Sequence, residues 1–319
     1  MKQKLTAWLP WIIGCVVLAV VFSKSPIADL RTAWNAINPW SFLTLSFFYF
    51  VLVWCFDVLA LVSFLNRFDV PISWRDVFIQ RGKSYGMMVL NFHAAQATLA
   101  WMIKASRQKN FTHVFSILFL LNLADVTLLA ILVVSLIGTS AATPVDGHEL
   151  QKVLIVLAAI AAWFGGWKFI HWYSQVESRP AFFDRIFASP WAMCFRQITM
   201  SDTCKLFLLR MPLLIVATLA FWFGLLGFEA SISITQYLAK IPFVMLAGTL
   251  PITPSGLGTT QALLSHFFAN HVVDLHSGLP LANGAEILLV SSVTWTLANQ
   301  VWKLMFSMLC FVWDKKGQA

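Results

Sequence analysis

The sequence predicts an all-α polytopic membrane protein. About six full spans and two opposed re-entrant helical segments form an inverted repeat within one membrane domain, residues 1–319. Three observations carry that expectation. Hydrophobic residues make up 59% of the 319-residue chain and charged residues only 11%, with a mean hydropathy of +0.75, whereas a soluble domain carries about 25% charged residues. The apolar residues gather into runs of the roughly 20 residues that a helix needs to cross hydrocarbon. The basic residues fall mostly on alternate connections between those runs.

Six runs qualify as spans: 5–22, 40–65, 111–137, 153–173, 206–228 and 284–313. The first follows Lys2 and Lys4 and imitates a secretory signal, but it is longer than a signal core and no A-x-A site follows, so it reads as a retained span. Sixteen of the 22 Lys and Arg fall on one side, Arg67, Arg81, Arg107 and Arg210 among them. Only Lys24, Arg31, Lys152 and Lys240 fall on the other, and Lys168 and Lys303 lie within spans. That asymmetry puts both termini in the cytoplasm, with a bacterial inner (plasma) membrane as the expected location. The 15 Trp and 28 Phe suit interfacial belts and a lipid-facing surface.

Two apolar stretches remain. Residues 84–103, SYGMMVLNFHAAQATLAWMI, have cations on both sides, so both ends belong inside. Residues 241–269 contain LPITPSGLGTTQ and need both ends outside if Lys315 and Lys316 are to stay inside. Each then enters and leaves on one face. Loose backbone at membrane depth is tolerated only when buried in protein or lining a wet cavity. Residues 1–143 and 152–319 thus show the same pattern in opposite orientation, the arrangement of inverted-repeat transporters. If 241–269 is instead one span and a loop, the C-terminus lies outside. Residues 181–205 read either as an interfacial amphipathic helix or as a tethered loop.

The net charge of +8 is spread over the loops, which fits positive-inside topology and anionic headgroups better than nucleic acid. Five cysteines without CxxC spacing predict neither a disulfide framework nor a zinc site. His266, His271 and His276 recur at five-residue steps with Asp274 among them, which moves them off one helix face, so no metal site is expected. HExxH, P-loop, GxSxG and paired-carboxylate motifs are missing, so the chain does not read as a hydrolase or an ATP-driven pump, and no cofactor is expected.

Ionisable residues inside spans are functional by default. Asp125, in LNLADVTLL, lies near the centre of its run, where insertion costs about 3 kcal/mol. Asp57 lies less deep. Both are candidates for ion coupling, and His93 is a candidate proton carrier. Lys168, His171 and Lys303 stand nearer span ends, where long side chains snorkel. Arg107 and Arg210 are candidates for a lipid phosphate at the cytoplasmic rim, alongside a purely topogenic role. Gly256 and Gly258 allow close backbone approach or positive φ, and the hydroxyls of Thr253, Ser255, Thr259 and Thr260 can bond a headgroup. A half-helix starting near Gly258 would offer free amides to phosphate. Close helix packing by small residues is the structural alternative.

The stretch LPITPSGLGTTQALL resembles the P-x-S/T-P-G-G-x-G-x-x-E signature of the lysylphosphatidylglycerol synthase transmembrane family, flippase-like membrane domains found alone or fused to aminoacyl-lipid transferases. Pro251, Thr253, Pro254, Gly256 and Gly258 match; Ser255 replaces a glycine and Gln261 stands at the acidic position. In the first half Asn91 and Arg107 match more loosely, with FHAAQ in place of Pro-Gly-Glu character. The resemblance implies a stand-alone translocase of a phospholipid or polyprenyl-linked lipid, not an enzyme. It would bind the headgroup through Asn91, His93, Arg107, Thr253, Ser255, Gly256, Gly258 and Gln261. Neutral Gln261 makes a lysyl-lipid substrate less secure. The alternatives are a non-transporting partner of a separate lipid-modifying or glycosyl transferase, and an intramembrane lipid-modifying enzyme. A homo-oligomer is compatible with either.

Overall fold

The computed structural model describes residues 27–89, 91–140, 149–176, 189, 193–249 and 258–316. The expected first span, 5–22, lies outside them, as do Thr253, Ser255 and Gly256 and residues 181–188 and 190–192 of the 181–205 stretch. The described chain is helical: α1 (Ile27–Asn35), α2 (Pro39–Arg67), α3 (Trp74–Met88), α4 (Phe92–Arg107), α5 (Phe111–Ser140), α6 (Glu149–Gln175), α7 (Met193–Gln197), α8 (Met200–Thr218), α9 (Ala220–Leu226), α10 (Ile234–Thr249), α11 (Thr259–Phe268) and α12 (Gly284–Lys316). The one departure is a two-residue antiparallel ribbon pairing Ala230–Ser231 with Val273–Asp274. Among the described residues three helical stretches are long and apolar enough to cross a membrane: Pro39–Arg67, Phe111–Val134 and Met200–Leu226.

The chain forms two compact units. One takes the chain up to Val53, Val89–Phe92 and Ile215–Met305. Its core gathers Phe42, Phe228, Tyr237, Phe268 and Trp295. Phe42 meets Phe228 and Trp295 edge-on at 5.9 and 5.7 Å, the geometry that ring quadrupoles favour. The Trp302 indole N–H donates to Ser46 Oγ at 3.0 Å. Phe42 meets Trp295 and Ser46 meets Trp302, so α2 and α12 run parallel in this unit.

Within the same unit α10 and α11 fold back on each other. Tyr237 meets Phe268, Phe243 meets Phe267, and Lys240 Nζ donates to the Phe267 carbonyl at 3.4 Å. Near the turn, a Cβ on Gly248 would lie 3.2 Å from Thr260 Oγ1. This is an antiparallel helical hairpin, with Gly248 and Thr260 drawn together at one end. The chain closes it by using Gly258 at φ 91° as the N-cap of α11, a conformation open to glycine and strained for other residues.

The other unit takes Trp54–Met88, His93–Leu214 and the chain from Phe306 on. Here α3 and α4 form a second antiparallel hairpin. At its open end Gln80 Nε2 donates to Ser106 Oγ at 3.0 Å, and Arg107 pairs with Asp76. Trp54 stacks on Phe78 with centroids 3.9 Å apart and meets Phe306 edge-on at 5.2 Å. The C-terminal turns of α12 run antiparallel to α3 across Gly82 and Gly86. A Cβ on Gly82 would stand 2.3 Å from Cys310 Sγ and 2.9 Å from Trp54 Cζ2, and one on Gly86 2.8 Å from Ser307 Oγ. Small residues four apart bring helices close, and the gain here is a hydrogen bond from Ser307 Oγ to the Lys83 carbonyl at 3.0 Å, beside a Lys83–Asp314 ion pair.

The packing at Gly82 gives a direct expectation. Gly82→Leu should destabilise the purified protein by about 1–3 kcal/mol, the usual overpacking range. Gly165→Leu on α6, where an added Cβ meets nothing within 4 Å, should change stability by less than about 0.5 kcal/mol. Denaturant titration of the two variants in the same detergent checks the contrast.

Candidate functional site

The most concentrated chemistry is a buried network of four charges in the unit containing α3, α5 and α8. Arg210 Nη1 donates to Asp57 Oδ1 at 2.8 Å, and its Nε donates to Asp125 Oδ1 at 2.6 Å, with Nη2 also paired to Asp125. Arg81 Nε donates to the other oxygen of Asp57 at 2.6 Å. Four helices therefore each contribute one charge: Asp57 from α2, Arg81 from α3, Asp125 from α5 and Arg210 from α8. The side chains of Arg210, Arg81 and Asp57 are 3%, 6% and 9% exposed, whereas that of Asp125 is 33% exposed.

Two arginines and two aspartates cancel, and that is what makes burial tolerable. An isolated buried charge is expensive, while a well-paired, hydrogen-bonded one offsets much of its desolvation. Helix register delivers the groups. Arg67 of α2 clamps Asp202 of α8 through two bonds of 2.8 and 2.9 Å. Asp202 also closes a capping box with Thr199, accepting from the Thr199 amide at 2.9 Å while its own amide donates to Thr199 Oγ1 at 3.2 Å. From that clamp α2 and α8 run antiparallel, and ten residues before Arg67 and eight after Asp202 bring Asp57 and Arg210 together. At about 1.5 Å per residue both lie roughly 12–15 Å along their helices. Arg210 stands two residues before Pro212, which sits inside α8 and leaves the Leu208 carbonyl without its intrahelical donor.

A polar pair extends the site. Gln96 Nε2 donates to Asn122 Oδ1 at 3.3 Å, and Asn122 precedes Asp125 by three residues, on the same face of α5. Arg81 Nη1 is buried and has no acceptor among the described residues. The guanidinium carbon of Arg81 lies 5.2 Å from the Tyr85 ring centroid, within cation–π range.

The expected site residues fall in separate places. Asp57 and Asp125 meet through Arg210. Arg210 itself is committed to two carboxylates and so does not present a free guanidinium at a rim. Asn91 is exposed in the break between α3 and α4, and His93 is exposed in the first turn of α4. Arg107 pairs with Asp76 at the open end of that hairpin. Gly258 and Gln261 act on each other: the Gly258 amide donates to Gln261 Oε1 at 2.7 Å. Gln261, at the third helical position, thus supplies the side-chain half of a capping box; glycine has no side chain to give the other half. Gln261 is buried, and its carbonyl end is spent on the cap. Arg81, counted as a loop charge in the sequence, is the functional candidate that reading missed.

Around the β-ribbon, Asp274 Oδ1 accepts from the Ser277 amide and hydroxyl and the His276 amide at 2.7, 2.8 and 3.1 Å. Those bonds, from Ser277 first, hold its carboxyl below the usual range. Among the described residues no three His, Cys, Asp or Glu side chains converge on a metal position.

No family model and no curated protein matches this chain. The resemblance drawn from LPITPSGLGTTQALL therefore rests on those motif residues.

Removing Arg210 strands Asp125 and leaves Asp57 with Arg81 alone, so Arg210→Gln should destabilise by about 3–5 kcal/mol. Asp125→Asn, at the exposed edge, should cost markedly less. Equilibrium unfolding of both variants in one detergent gives the comparison, and equal losses would contradict the exposure difference.

Proposed function

We propose that the chain is a multi-pass inner-membrane translocase for a lipid or lipid-linked headgroup, with six spans and two re-entrant hairpins in opposed repeats and both termini in the cytoplasm. The observation that carries this reading is the neutral Arg81–Asp57–Arg210–Asp125 network, three of whose members lie well inside the apolar stretches of α2, α5 and α8. Ionisable groups at such depth mark ion or substrate pathways. In a bilayer core of about 30 Å, the roughly 12–15 Å from the Arg67–Asp202 clamp puts the network near the midplane.

The two helical hairpins support the same reading. The α3–α4 hairpin breaks around Asn91, in a stretch that the charge count requires to turn back, and α10 and α11 flank the other such stretch. Transporter sites form where such discontinuous helices meet. Helix directions agree with the proposed topology: α2 runs antiparallel to α8 and parallel to α12, as alternate crossings with an internal C-terminus demand.

The transport reading is tested in vesicles. Reconstituted protein should speed headgroup exposure of at least one lipid in a panel that includes polyprenyl phosphates, and Asp125→Asn should slow it by about tenfold or more. Rates equal to empty vesicles across the panel would leave the chain as a partner of a separate transferase.

Topology has its own measurement. Single cysteines at Asn270 and Gln318 should be labelled by an impermeant reagent from opposite sides of the membrane. Labelling from the same side would remove the re-entrant assignment of 241–269.

A further inference from the structure

Arg81 is the network member with capacity to spare. Its Nε is held by Asp57, its side chain is 6% exposed, and its Nη1 has no acceptor among the described residues. A buried charged donor left unmade costs more than a neutral one, so this position calls for an oxygen acceptor. The charge count says when an anionic one can enter. With both aspartates ionised the four groups sum to zero, and an added anion beside Asp57 would leave an unmatched negative charge. With one proton on the network, two guanidinium groups face one carboxylate, and a single anion restores neutrality.

Asp125 is the group placed to take that proton. It is 33% exposed, against 9% for Asp57. The charges facing it are Arg210 on α8 directly, with Asp57 on α2 and Arg81 on α3 beyond. From α4 comes neutral Gln96, by way of Asn122. From α7, Cys194 meets α5 at Ser116, nine residues and about 13 Å away along the helix. Protonation at an Asp125 oxygen breaks no covalent bond. It weakens the Arg210–Asp125 bonds and leaves Arg210 on Asp57.

We infer that Arg81 Nη1 marks a binding position for the singly charged phosphodiester of a lipid headgroup, filled when Asp125 takes a proton, so that one proton and one anion enter together. This deepens the translocase reading and rests on it for the lipid source of the phosphate.

The test uses the full chain in a maltoside detergent, which brings no phosphate of its own. Short-chain phosphatidylglycerol is titrated at about pH 5 and about pH 8, on either side of neutrality. The wild type should bind about tenfold more tightly at the lower pH, the scale of one hydrogen bond to a charged group. Asp125→Asn should bind with the low-pH affinity at both values. Arg81→Lys, which keeps the charge and loses the spare planar donor, should bind about tenfold more weakly. Thermal melting shows that each variant is folded, and if Arg81→Lys is not, Asp125→Asn decides alone. Equal wild-type affinity at both pH values, or a folded Arg81→Lys that binds as wild type does, overturns the proposal. Inorganic phosphate binding as tightly as the lipid overturns the headgroup source. Binding with these dependences but no lipid movement in vesicles would keep the site and remove the translocase; movement with pH-blind binding would do the reverse.

Discussion

Asp57 accepts from two guanidinium groups at once, Arg81 on one oxygen and Arg210 on the other, and the arrangement of four helices turns on that fact. Remove Asp57, Arg81 or Arg210 and a buried charge loses its match, a change worth several kcal/mol rather than the fraction of one typical of a surface pair. The other devices in the same unit serve its register. The Arg67–Asp202 clamp and the Thr199–Asp202 capping box set α8 against α2. Gly82 and Gly86 admit α12 so closely that α3, which carries Arg81, is held against it. Asp125 closes the network from α5 and is its least buried member.

A neutral, paired cluster of this kind can hold two arrangements. Arg210 divides its donors between two carboxylates, so weakening one bond leaves it anchored by the other. Pro212, two residues on, already interrupts the backbone ladder of α8. The helix is therefore least constrained where its charge would have to move. In the proposed bilayer setting, water exclusion sharpens each of these interactions, which ties protonation of Asp125 to the position of Arg210 and hence to Asp57 and Arg81.

Much of the helical order was legible because hydropathy and helix length are coupled: 40–65, 111–137, 153–173 and 284–313 each fall within one helix, and 206–228 falls on α8 and α9. The interruption between α3 and α4 falls within 84–103, a stretch that stood out for its flanking charges, whereas the Pro and Gly residues of LPITPSGLGTTQ before Gly258 lie outside the described residues. Asp57 and Asp125 stood out because carboxylates in apolar runs need a reason. Arg81 did not, and Arg210 stood out only as a candidate for a lipid phosphate at the rim. Arg81 sits in RGKSYG, a polar stretch that reads as a loop, and its burial follows from tertiary packing of α3 that hydropathy does not encode. Arg210 looked like an end-of-span cation, whereas α8 starts at Met200 and carries it a further ten residues in. Gln261 had a readable signal that went unused: its three-residue spacing from Gly258 is that of an N-cap and its reciprocal partner.

The central claim is that Arg210 holds Asp57 and Asp125 together while Arg81 shares Asp57. Solid-state NMR on protein labelled at arginine nitrogens and aspartate carboxyl carbons, reconstituted in lipid bilayers, measures this directly. The account predicts through-space transfer from Arg210 to both carboxyls and from Arg81 to Asp57 alone, with Arg210→Lys removing the Asp125 correlation. Transfer from neither arginine to Asp57, or Asp125 correlations that ignore Arg210, would contradict it.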